Sequence, residues 1–97
     1  MSDAQFQKVN RTVTKALAQG YAVSVFDGEE TVVSKSTDHH IIMSNVRSTD
    51  EETLTMWDGK RRIGSILLVW EFNGDADEVI NDYTDNEAIV KLLGGCA

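Results

Sequence analysis

The stretch Ile63-Gly64-Ser65-Ile66-Leu67-Leu68-Val69-Trp70-Glu71-Phe72 decides the fold. Side chains alternate across a strand, so Ile66, Leu68, Trp70 and Phe72 share one face while Ser65, Leu67, Val69 and Glu71 share the other. Both faces are apolar for most of this length, the pattern of a strand in the middle of a sheet. The rest of the chain is read outward from it.

Immediately upstream, Thr53-Leu54-Thr55-Met56-Trp57 alternates polar and apolar residues and runs into Asp58-Gly59, a hairpin composition, so it is a strand feeding a hairpin. Ser48 and Glu51 satisfy capping-box spacing, but the alternation that follows argues for a strand rather than a helix. Further upstream, Ser36 or Thr37 can cap a short helix over 37–46, with Asp38 in its first turn and Ile41, Ile42 and Val46 on its buried side. Tyr21–Phe26 and Thr31–Lys35 form a first hairpin around Asp27-Gly28, which has the composition of a type I′ turn. At the start of the chain, Ser2 and Gln5 make a capping box. Phe6, Val9, Val13, Ala16 and Leu17 then recur at helical spacing until Gly20 ends an amphipathic helix over 3–19, whose opposite face carries Lys8, Arg11 and Lys15.

Downstream, Asn73-Gly74 is a third turn. Val79–Tyr83 reads as a last strand with Val79, Asn81 and Tyr83 on one face; the alternative is a helical turn begun by Asp75 or Asp77. Thr84 with Glu87 forms a further capping box ahead of Ala88, Ile89, Leu92 and Leu93, and Gly94-Gly95 stops that helix. The order is α-β-β-α-β-β-β-α. Short turns between successive strands favour antiparallel pairing, so the fold class is α+β, an antiparallel meander sheet of about five strands with three helices. The 97 residues make a single domain with 94–97 as a frayed tail, and the chain contains no proline to blunt its strand edges.

Composition narrows function. Sixteen acidic residues against nine basic give a net charge of -7, and residues 1–26 hold Lys8, Arg11 and Lys15 against Asp3, so the acidity belongs to the later chain. Between Asn73 and Val90 stand Asp75, Asp77, Glu78, Asp82, Asp85 and Glu87 with no Lys or Arg. A surface of this sign repels nucleic acid and attracts a basic protein surface. Mimicry of DNA would need carboxylates at about one charge per ~1.7 Å, and the nine bases dilute the acids too far for that. One cysteine, Cys96, excludes an internal disulfide, and neither a charged-then-apolar leader nor a membrane-length apolar run is present, so a cytoplasmic protein with no membrane partner is expected.

Catalytic and metal chemistry find little support. His39 and His40 are adjacent, about 100° apart on a helix, and cannot share an ion. Asn73, Asp75 and Asp77 have calcium-loop spacing, yet Glu78 stands where the loop needs Gly and Thr84 where it needs the bidentate Glu. No serine lies in a nucleophile-elbow context and no glycine-rich phosphate loop occurs. The expectation is a protein that is not an enzyme, with no catalytic residue, cofactor or metal ligand. Trp57, followed by Lys60, Arg61 and Arg62, is a candidate aromatic anchor beside a cation; the alternative is a partly buried Trp at a strand end.

The stretches KALAQGYAVSVFDGEE, STDEETL and GSILLVWEFNGDADEVINDYTDNEAI resemble small uncharacterised proteins encoded by tailed bacteriophages and prophages. The resemblance implies an accessory protein made in a bacterial host, in a class whose members bind and inhibit host proteins; it supplies no catalytic or binding residues. The leading functional reading is a small acidic protein-binding module, a phage-encoded modulator of a host protein. The alternative is a homo-oligomeric accessory protein whose strand edge or apolar sheet face is covered by a second copy, as in a homodimer.

Overall fold

In the computed structural model, which describes residues 3–46, 49–70 and 76–93, the elements follow the expected order. They are α1 (Asp3–Ala18), β1 (Ala22–Phe26), β2 (Thr31–Ser36), α2 (His39–Asn45), β3 (Glu51–Asp58), β4 (Arg61–Val69), a 3-10 turn (Ala76–Val79), β5 (Ile80–Tyr83) and α3 (Glu87–Leu93). The fold is α+β. One sheet, antiparallel throughout, has the order β2-β1-β3-β4-β5. Consecutive strands are neighbours except β2 and β3, whose connection through α2 brings β3 in beside β1. The decisive 63–72 stretch thus supplies β4, an interior strand flanked by β3 and β5.

Alternation along the strands divides the sheet into a covered and an open face. Val23, Val25, Leu54, Met56, Ile66 and Leu68 are fully buried on the covered face, against Val9, Val13 and Ala16 of α1, Ile42 of α2 and Ile89 of α3. All three helices serve that one core. On the other face Ser24, Thr53, Thr55, Trp57, Ser65, Leu67 and Val69 are half-buried, and none of the described elements lies over them. The two-faced apolarity of 63–72 therefore does not mean helices on both sides. Trp70 packs on the covered face near Phe6, with ring centroids 6.5 Å apart.

The helix ends show where local chemistry overrode the motif reading. Gly20 adopts φ 87°, its N–H donating to Leu17 O and that of Tyr21 to Ala16 O, the paired bonds of a Schellman cap. In α2 the cap is Asp38, not Ser36 or Thr37: its carboxylate accepts the N–H groups of His40 and Ile41, while Ser36 Oγ accepts from Asp38 N–H. The buried side is Ile42, Met43 and Val46, and Ile41, expected there, is 46% exposed. In α3 the cap is Asn86, whose Oδ1 accepts from Ile89 N–H, because Thr84 is engaged by β4: its N–H donates to Ser65 O and its Oγ1 accepts from Ser65 N–H. Ser2 and Gly94-Gly95 lie outside the described residues.

Turns differ in the same way. Asp27 holds a four-residue loop rather than a two-residue turn, its Oδ1 accepting N–H groups from Glu29 and Glu30 at 2.9 Å each, with Gly28 at φ 102°. Gly59, at φ 61°, fills the first central position of the two-residue β3–β4 connection, as a type II′ turn requires. The expected Asn73-Gly74 turn lies outside the described residues. Val79 is not a strand residue. It closes the 3-10 turn and drops into the core, so β5 begins at Ile80 and both alternatives for this segment occur in succession.

Both sheet edges are blunted without proline. On β2, three residue steps (Val33 to Ser36) face two on β1 (Val23 to Val25), and Lys35 takes φ 46° in the bulge. The other edge, β5, is four residues long and carries Asp82. Short, bulged or charged edges resist pairing with other chains.

Candidate protein-binding surfaces

The acidic segment forms a side wall along the β5 edge. Glu78 on the 3-10 turn, Asp82 on β5, Asp85 in the following loop and Glu87 at the start of α3 are all exposed. Asp75 lies outside the described residues, as does the side chain of Asp77. Glu87 reaches Lys91 at 3.4 Å across one helical turn, but with side chains 85% and 69% exposed this pair contributes little. Asp82 Oδ1 accepts the Tyr83 N–H at 2.8 Å. Tyr83 itself, 43% exposed, is the aromatic group of this wall. In the sequence Tyr83 stands out only as a strand-face residue; its position on a terminal strand is what exposes it. Thr53, Ser65, Leu67, Asp82, Tyr83 and Thr84 line a shallow hollow of about 180 Å³ beside it.

Trp57 and Arg61 do not join the acidic residues. They stand at the β3–β4 hairpin end of the sheet, whereas β5 pairs with β4 only at Ile66–Leu68. Trp57 is half-buried and fixed: its Nε1–H donates to Ser24 Oγ at 3.1 Å, and Lys35 Nζ lies 4.2 Å from the ring centroid. The left-handed conformation of Lys35 belongs to this arrangement, since its N–H also donates to Ser24 Oγ. A cation over a Trp face contributes about 0.5–1 kcal/mol at an exposed site. Arg62, the cross-strand neighbour of Trp57, turns its guanidinium to Ser65 Oγ on the open face, while Lys60 and Arg61 stay exposed at the tip.

Three other polar side chains have structural work. Glu52 is 1% exposed on the covered face, and Trp70 Nε1–H donates to its Oε1 at 2.9 Å. Extending the Thr53–Trp57 alternation back by one residue places Glu52 on the face of Leu54 and Met56, which is the signal in the sequence for its burial. Lys8 is half-buried rather than solvent-facing, its Nζ donating to Leu93 O at the end of α3, where the helix dipole favours a cation. His39 Nε2 is hydrogen-bonded to Asn10 Oδ1. Among the described residues no three of His, Cys, Asp and Glu converge as metal ligands, and no helix is long and apolar enough to cross a membrane. A larger hollow, about 490 Å³, lies between the end of α1 and α3, where Lys15, Gln19, Tyr21, Glu87 and Lys91 surround Leu92.

Comparison with known proteins adds no assignment: no protein-family model, curated protein or solved structure matches the chain.

Proposed function

We propose that the chain is a protein-binding module whose acidic β5 wall docks a partner with a basic surface. The carrying observation is that Glu78, Asp82, Asp85 and Glu87 are exposed around an edge strand, with Lys91 the only base that pairs with any of them among the described residues. Tyr83 supplies an amphipathic aromatic contact at the centre of that wall, the kind of residue on which binding energy concentrates. In the phage setting that the sequence resemblance implies, the partner is a host protein and binding modulates it.

The test compares the wild-type chain with the variant Glu78→Gln, Asp85→Asn, Glu87→Gln as immobilised baits for bacterial lysate, followed by association kinetics of any captured protein. Exposed carboxylates contribute little to stability, so the variant keeps the fold. Its association rate should fall at low salt, and the difference should shrink at physiological ionic strength, where the Debye length is about 8 Å. Equal rates for the two baits at low salt would refute the reading.

A further inference from the structure

The open face of the sheet is electrically bipolar. At the β3–β4 hairpin end stand Lys35, Lys60, Arg61 and Arg62, against Asp58 in the turn, Asp38 just beyond β2 and Asp85 just beyond β5, where Asn86 Nδ2 donates to Ile63 O. At the other end stand Asp27, Glu29 and Glu30 of the β1–β2 loop, Asp50 and Glu51 leading into β3, and Asp82 of β5, with no Lys or Arg in residues 27–34, 49–54 or 76–83. Between the two ends runs a neutral row, Ser24, Thr55 and Ser65, aligned by the registers Ser24↔Thr55 and Thr55↔Ser65.

That row is also the geometric centre. On β3, Trp57 lies two residues to the basic side of Thr55, and Thr53 two residues to the acidic side. Trp57 pairs with Arg62 in one row; Phe26, Thr53, Leu67 and Asp82 align in the other. We propose that a second copy of this chain covers the open face, related by a two-fold axis running across the strands through Ser24, Thr55 and Ser65. Such an axis superposes the basic row of each copy on the acidic row of the other. Trp57 then meets Thr53 and Phe26, whose side chain is 39% exposed, and Arg62 meets Leu67 with Asp82 one strand spacing away, about 4.8 Å, within reach of an arginine. A two-fold axis along the strands would instead oppose base to base and acid to acid. Two-fold interfaces are self-complementary by construction, and this face satisfies that condition in charge and in the position of its apolar groups.

The size fits a weak, specific dimer. Five strands at about 4.8 Å and a usable length of about 25 Å give roughly 600 Å² per copy, below the ~800 Å² of a standard interface. The net charge of -7 on each copy also opposes association, so a dissociation constant in the micromolar range is expected. The inference stands apart from the basic partner proposed above, because it is tested on the purified chain alone. Both β5 walls would lie on the same side of the dimer.

The experiment is sedimentation equilibrium of the full chain from a few to several hundred micromolar. The expected mass rises toward twice 10.8 kDa. Arg62→Glu and Asp82→Lys should each weaken self-association at least tenfold, since each opposes like charges twice across the two-fold axis. An equimolar mixture of the two variants should restore association as a heterodimer, because every cross-contact then pairs an acid with a base. Thr55→Lys, placing like charges on the axis itself, should abolish association. A mass of 10.8 kDa at all concentrations would overturn the proposal. So would failure of the mixture to associate, stronger association of Asp82→Lys than of wild type, as a net-charge effect alone would give, or retained association of Thr55→Lys.

Discussion

Gly64→Ala tests how α3 is seated on the sheet. Gly64 is buried on the covered face of β4, and a Cβ built there would lie 2.7 Å from Ile89 Cγ1, 3.0 Å from Thr84 Cβ and 3.1 Å from Ile89 Cδ1. Ile89 is fully buried, Cγ1 is held by its β-branch, and Thr84 is tied to Ser65 by two hydrogen bonds, so neither neighbour can swing aside cheaply. The contact must open by about 0.7 Å to reach ordinary van der Waals distance, which means displacing α3. Overpacking of this kind costs about 1–3 kcal/mol, and the lower backbone entropy of Ala in the unfolded chain returns about 0.5–1 kcal/mol. A net loss of about 1–2 kcal/mol should appear in urea denaturation as a lower midpoint at unchanged slope. Ile89→Ala alone should cost about 2–5 kcal/mol. Combined, the two should cost at least 1 kcal/mol less than their sum, because the new methyl partly fills the space the isoleucine leaves. A neutral or stabilising Gly64→Ala, or strict additivity of the pair, would refute this packing of α3.

Two further outcomes follow from the same geometry. Leu68, fully buried on β4, should cost about 2–5 kcal/mol as Leu68→Ala, and the amides of β4 should be among the slowest to exchange with solvent; a loss under half a kcal/mol would place Leu68 elsewhere. The Asp27 carboxyl, held below its usual range first by the Glu30 N–H and then by that of Glu29, should titrate by NMR below an ordinary aspartate. Its folded pKa is depressed, so its contribution is present above the unfolded value and fades as pH falls below about 4 through the folded one; an Asp27 midpoint at or above that of an unfolded peptide would contradict the loop geometry.

Most of the fold was legible because each element carries its period in local sequence. The 63–72 run, the Thr53–Trp57 alternation and the α1 stripe each satisfy one template clearly, and their order fixes an α+β class. Boundaries and caps were less legible for a physical reason: several polar residues in a row can all serve as caps, and tertiary contacts choose among them. Ser36, Thr37 and Asp38 compete at α2, where Asp38 wins with a carboxylate reaching two N–H groups. Thr84 loses the α3 cap to Asn86 because Thr84 is occupied by β4. The placement of β3 beside β1 was beyond local patterns altogether, since it depends on where the α2 connection lands.

The same topology explains why the two surfaces could not be separated in the sequence. In an antiparallel sheet successive connections fall at opposite ends, so the 27–30 loop and the entry to β3 gather at one end while the 58–61 turn and the Lys35 bulge gather at the other. Read linearly, Asp27, Glu29 and Glu30 stand near Lys35, and Asp58 two residues from Lys60, so the charges look mixed. Folding sorts them. Trp57 stands beside Lys60, Arg61 and Arg62 in the sequence as in the fold, but the cation over its ring is Lys35, drawn there from 22 positions away in the chain. Net charge alone points to a basic partner for the whole molecule. The sorted charge adds a direction along the sheet, and direction is what a two-fold axis needs to bring unlike ends together.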